Sequence, residues 1–127
     1  MKVAVSVQGT TLDAQVEPRF GRCRQIMMVD TDSLEYTTLS NPHIGATGGA
    51  GIQTAQMVST KKVDAVFTGH CGPKAFQTLQ AAGIPVYVEM TGTVREAIAA
   101  YNSGDLQPAA GANAQSHAGS PDQRGRA

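Results

Sequence analysis

Three short clusters combine residue types that could hold or transform a ligand. The first is Arg19-Phe20-Gly21-Arg22-Cys23-Arg24. Guanidinium forks match oxyanions and other polyatomic anions, so this run favours an anionic ligand. Its ordinary counterpart is a solvated loop with an arginine paired to Asp13 or Glu17. The second is Gly48-Gly49-Ala50-Gly51, which opens a helical pattern. Backbone N–H groups and a helix N-terminus together favour negative charge there. The run nearly matches GxGxxG, but no acidic residue follows about 20 positions on. Its ordinary counterpart is a flexible loop and close helix packing. The third is Gly69-His70-Cys71-Gly72-Pro73-Lys74, a strand end meeting a helix start. A thiol at a helix N-terminus can become nucleophilic or ligate a soft metal. A tight turn around a half-buried cysteine is the plainer alternative.

Cys23, His43, His70 and Cys71 have the residue types of a zinc site but not its spacing. They fall on three separate loops without CxxC or HxxxH. Cys23 and Cys71 are therefore conceivable but unfavoured metal ligands, and a disulfide between them is unexpected in a reducing compartment. The first strand carries no acid, and neither GxSxG nor a Ser-His-Asp order occurs. A non-enzyme is expected. Met27, Met28 and Met57 read as core filler, whereas Met90 borders a loop and could offer an apolar contact. His117 has no assigned role.

Composition narrows the classes further. Ten Lys+Arg balance ten Asp+Glu over 127 residues. A zero net charge argues against nucleic-acid binding through bulk charge and against a polybasic membrane tether. Aromatic residues are 5% with no Trp, which disfavours a base-stacking surface. No apolar run approaches a membrane span, and the N-terminus turns polar too soon for a signal peptide. A cytoplasmic protein without nucleic-acid or membrane partners is expected. Pro108–Ala127 contains no Val, Ile, Leu, Met, Phe or Tyr. Such a segment buries too little to offset its ordering entropy. The expected organisation is one domain over 1–106 and a disordered tail over 107–127.

The elements that must position the clusters follow from periodicity. Val3, Val5 and Val7 alternate as a first strand. Gln25–Asp30 and Leu34–Leu39 form an antiparallel hairpin about a polar turn. A helix runs from Ile52 to Lys61-Lys62, with Ile52, Ala55, Val58 and Ser59 inward. Asp64–Thr68 is a fourth strand, and a helix follows from Pro73 to Gly83, with Ala75, Phe76, Leu79 and Ala82 inward. Ile84–Glu89 is a fifth strand. Thr93 and Glu96 make a capping box for the last helix, which ends at Gly104. This order predicts an α/β fold: a five-stranded mixed sheet, helices on both faces and a parallel βαβ second half. All three clusters then fall on loops at one edge, the carboxyl ends of the parallel strands.

The ordered set Met1-Lys2-Val3-Ala4-Val5, Phe20-Gly21-Arg22, Asn41, Gly48-Gly49-Ala50-Gly51, Gly69, Gly72-Pro73-Lys74-Ala75-Phe76 and Ala82-Gly83-Ile84-Pro85-Val86 resembles the dinitrogenase iron–molybdenum cofactor biosynthesis family. The resemblance implies a three-layer α/β/α fold with a ribonuclease-H-like motif. It also implies a nitrogenase accessory-like role in carrying a metal–sulfur cofactor rather than catalysis. The members most similar to this chain imply a molybdenum–copper sulfide cluster. On that basis Phe20, Gly21, Arg22, Gly48, Gly49, Gly51, Gly72 and Pro73 are expected at the site. Arg19, Arg24, His43, His70, Cys71, Lys74 and Met90 join them from the residue chemistry. The expected function is a binding protein that holds an anionic cluster non-covalently. The alternative is an enzyme or sensor taking a phosphorylated small molecule at the same edge.

Overall fold

The computed structural model describes residues 1–42, 50–104 and 106–113. Strands β1 (Lys2–Val7), β2 (Gln25–Asp30), β3 (Tyr36–Ser40), β4 (Ala65–Phe67) and β5 (Val86–Tyr87) form one sheet in the order β3-β2-β1-β4-β5. β2 is antiparallel to β1 and β3, whereas β4 is parallel to β1 and β5. The expected α/β fold and mixed sheet are both present.

Alternation along β1 decides what each face covers. Val3, Val5 and Val7 lie with Phe67, Val94, Ala97 and Ile98 on the side of α3 (Val94–Asn102). Ala4 lies on the opposite side with Ala55, Val58, Ala75, Phe76 and Leu79. Those residues belong to α1 (Ala50–Ser59) and α2 (Pro73–Ala81). Helices thus cover both faces, which is why β1 is buried from Val3 to Val7. Phe67, Tyr87 and Tyr101 make a three-ring contact on the α3 side, with centroids 5.3–5.6 Å apart.

Boundaries shift where backbone geometry overrides propensity. β3 starts at Tyr36 rather than Leu34, because Leu34 takes φ 65° inside the turn. Asp30 organises that turn: its Oδ1 accepts from the N–H groups of Asp32 and Ser33. These backbone bonds hold its carboxyl below the usual carboxylate range. β5 is shorter than expected: Pro85 has no N–H to donate, and Glu89 sits at φ 60°. Helix α1 is placed by Ala50, Thr54, Ala55 and Val58. Ile52 and Ser59, expected inward, are only partly buried, and Ala82 is exposed at the end of α2. Gly83 closes α2 at φ 77°, and the Thr93–Glu96 capping box opens α3 as expected.

The chain does not leave the body at residue 107. Leu106 packs on the α3-side core and Ala109 on the opposite one. The Ala109 N–H donates to Val86 O at 2.7 Å, and the Asn113 N–H donates to Cys71 O at 3.1 Å. Residues 107–113, expected to begin a disordered tail, are therefore a strap across the β5 edge. Low hydrophobicity did not free them, because backbone and amide hydrogen bonds replace apolar burial. The remainder of the expected tail, 114–127, lies outside the described residues, as does His117.

Candidate functional site

The loops after β1, β4 and β5 meet at the carboxyl edge. The loop after β1 folds back over that strand. Ser6 Oγ lies 2.7 Å from both Glu17 O and Thr68 Oγ1, and the Glu17 N–H donates to Ser6 O. The chain then runs beside the loop after β4, where the His70 N–H donates to Pro18 O and the Phe20 N–H to His70 O. The Pro18–Phe20 segment makes a ridge between two clefts.

On one side is a cleft of about 330 Å³, lined by Val7, Gln8, Glu17, Arg19, Arg22 and Arg24. Among the described residues its lining combines three guanidiniums with one carboxylate. The Arg19 side chain is 70% exposed, and its Nε stands 3.6 Å from Glu17 Oε2, a weak pairing in solvent. Glu17 also accepts from the Arg19 N–H at 3.0 Å. The partner anticipated in Asp13 is taken by Arg95 instead. The other cleft, about 470 Å³, includes Gln15, Val16, Pro18, His70, Glu89 and Met90 and shares Gln8 with the first. It lies beyond the carboxyl ends of the parallel strands β1, β4 and β5, a favoured ligand position in α/β folds. Glu17 was foreseen only as an arginine's partner, and Gln8 and Glu89 carried no sequence signal of their own.

Several expected site residues serve the core instead. Phe20 is 1% exposed and packs under α1. Gly21 and Gly51 are in mutual contact: a Cβ on Gly21 would lie 2.9 Å from Gly51 Cα. Here the close-packing alternative holds, and neither glycine lines either of these two clefts. Gly72 and Pro73 cap and open α2, with exposed Lys74 in its first turn, and none of the three lines either cleft. Met90 touches the second cleft but is 6% exposed and mainly fills the α3-side core. His43, Gly48 and Gly49 lie outside the described residues.

Both cysteines are free and buried on the α1/α2 side. Cys23 Sγ lies 3.1 Å from Phe20 O. Asn41 Nδ2 donates to Cys23 O at 2.9 Å and to Thr54 Oγ1 at 3.1 Å, which seals the space around the thiol. Burial pushes the Cys23 thiol from the ordinary 9.0 to about 12, with the Asn41 contact opposing the rise. Burial alone pushes Cys71 to about 12. Neutral, enclosed thiols do not make ready thiolate ligands. Among the described residues no group of three or more His, Cys, Asp and Glu is arranged to hold a metal ion.

This burial has a pH consequence. Thiols ionise near 9.0 when unfolded but stay protonated to about 12 in the fold. Stability from this source is complete below pH 9 and is lost as pH rises towards 12. Urea denaturation at about pH 10 is expected to show a loss of about 1.4 kcal/mol from Cys23 alone. In Cys23→Ala the drop between neutral pH and pH 10 shrinks by that amount. An equal drop in both proteins would show that this thiol ionises as readily folded as unfolded.

The dinitrogenase iron–molybdenum cofactor family profile matches residues 1–104. The chain belongs to that family. It is 38% identical to the orange protein of Desulfovibrio gigas, solved in its apo form, with a TM-score of 0.85 over 89% of this chain and 96% of that one. A NifB-like protein of Thermotoga is 34% identical, with a TM-score of 0.72 over 84% and 91%. An uncharacterized protein of Methanocaldococcus jannaschii is 28% identical over 84% of this chain and 90% of its own. Among the described residues no helix is long and apolar enough to cross a membrane.

Proposed function

We propose that this family member is a non-catalytic, cytoplasmic carrier of an anionic metal–sulfur cluster, of molybdenum with copper, held without protein–metal bonds. The observation that carries the reading is the convergence of Arg19, Arg22 and Arg24 on one cleft of a protein with no net charge. A thiomolybdate-type cluster is polyanionic and brings its own sulfide ligands. It needs cations, N–H donors and apolar walls rather than thiolates. The residues fit that need: guanidiniums are exposed, and both cysteines are enclosed and neutral. The adjoining cleft supplies His70, two glutamine amides and apolar surface from Val16 and Pro18. Resemblance to an orange protein described in an apo form supports a removable, coloured cargo.

The test is a visible spectrum with metal analysis on freshly purified protein and on protein reconstituted with tetrathiomolybdate and a copper(I) salt. Visible absorption, molybdenum and copper are expected to co-elute with the protein in constant ratio. A colourless protein that passes both metals through gel filtration but retains a phosphorylated small molecule would replace this reading with the alternative.

A further inference from the structure

The strap residue Asn113 contacts the loop after β4 with both side-chain ends. Its Oδ1 accepts from the Cys71 N–H at 2.8 Å. Its Nδ2 donates to Gly69 O at 3.0 Å and stands 3.4 Å from His70 Nδ1. Its own N–H donates to Cys71 O at 3.1 Å. The Cys71 amide decides the orientation of the carboxamide, because only an oxygen can accept from that N–H. The NH2 group is then fixed towards Gly69 and His70, with one hydrogen for each. His70 Nδ1 must accept, so the neutral ring carries its proton on Nε2. His70 is exposed at the second cleft, where an N–H donor suits a sulfide or oxyanion.

We infer that Asn113 is a positioning residue of the site: it locks the Gly69–Cys71 loop and presents His70 as an Nε2–H donor to the anion. The binding half of this inference rests on the carrier reading above. The positioning half is a property of the free protein.

The experiment uses the 127-residue wild type, Asn113→Ala, Asn113→Asp, His70→Ala and the double variant that combines Asn113→Ala with His70→Ala. Nitrogen-15 imidazole spectra, recorded well above the ordinary imidazole pKa, report the His70 tautomer. Amide exchange reports the Cys71 N–H. Wild type is expected to show the Nε2–H form. Asn113→Ala is expected to show a mixture and at least about tenfold faster Cys71 exchange. Asn113→Asp keeps the acceptor for Cys71 but removes both donations, so it should retain slow exchange while drawing the His70 proton to Nδ1. That variant decides the matter if the alanine variant folds poorly. Tetrathiomolybdate titration is expected to be about tenfold weaker in Asn113→Ala and in His70→Ala, and no weaker still in the double variant, because the two act as one unit. An Nδ1–H tautomer in wild type, or a tautomer and Cys71 exchange unmoved by Asn113→Ala, overturns the positioning role. If wild type binds tetrathiomolybdate and both variants bind it equally, the binding half is overturned. If wild type does not bind it, the carrier reading fails, and the tautomer and exchange results still decide the role of Asn113.

Discussion

Gly69→Ala is expected to destabilise the protein by about 3 kcal/mol in urea denaturation. A Cβ there would lie 2.7 Å from both Cα and O of Pro18. These are backbone atoms in a ring-restrained residue, so no side chain can swing aside. Relief requires moving the Pro18–Phe20 segment away, which breaks the bonds from His70 N to Pro18 O and from Phe20 N to His70 O. Moving Gly69 instead disturbs its carbonyl, which accepts from the Glu89 N–H at 2.8 Å and from Asn113. Overpacking of this kind typically costs about 1–3 kcal/mol, and each lost hydrogen bond adds roughly 1 kcal/mol. Gly111→Ala is the control, since a Cβ there meets nothing within 4 Å. It should stay within about 0.5 kcal/mol of wild type. A Gly69→Ala protein as stable as the Gly111→Ala control would mean that the ridge tolerates a methyl group and is not fixed by this contact.

The fold was legible because its signals are periodic. Alternating valines in β1, the Thr93–Glu96 box and Gly83 at the end of α2 each rest on local geometry, and each is found in place. The site was less legible because its signals are not periodic. Phe20 stands between Arg19 and Arg22, and nothing in that run tells which side chains face inward. A 3-10 turn over Phe20–Arg22 turns the ring into the core and leaves Arg22 exposed. Cys23 and Cys71 read as edge thiols, yet both are covered by residues distant in sequence, Asn41 and Asn113 among their contacts. Asn113 shows the limit most clearly. One amide bonding a backbone 42 positions away leaves no trace in composition, and the apolar-poor stretch around it argued for disorder.

Substitution of the arginines should have the largest effect on ligand binding, and its sign can be tested from both directions. Arg22→Ala and Arg24→Ala are each expected to weaken tetrathiomolybdate binding about tenfold at low salt, and roughly a hundredfold together, the scale of charge-assisted hydrogen bonds. Salt should act in the same sense. Between about 0.1 M and 1 M the screening length falls from about 10 Å to 3 Å, so wild-type affinity should drop and the gap to the variants should narrow. Loss of binding alone could reflect a distorted loop. Glu17→Gln separates the two explanations. Among the described residues Glu17 is the one carboxylate lining the arginine cleft, and the amide can still accept the Arg19 N–H through its oxygen. Neutralising it removes one negative charge from beside the three guanidiniums, so the electrostatic account requires tighter binding, with a steeper dependence on salt. A distorted loop would instead bind less tightly in all three variants. If Glu17→Gln weakened binding as the arginine changes do, the cleft would be holding its ligand by shape, and the charge on this edge would belong to some other partner.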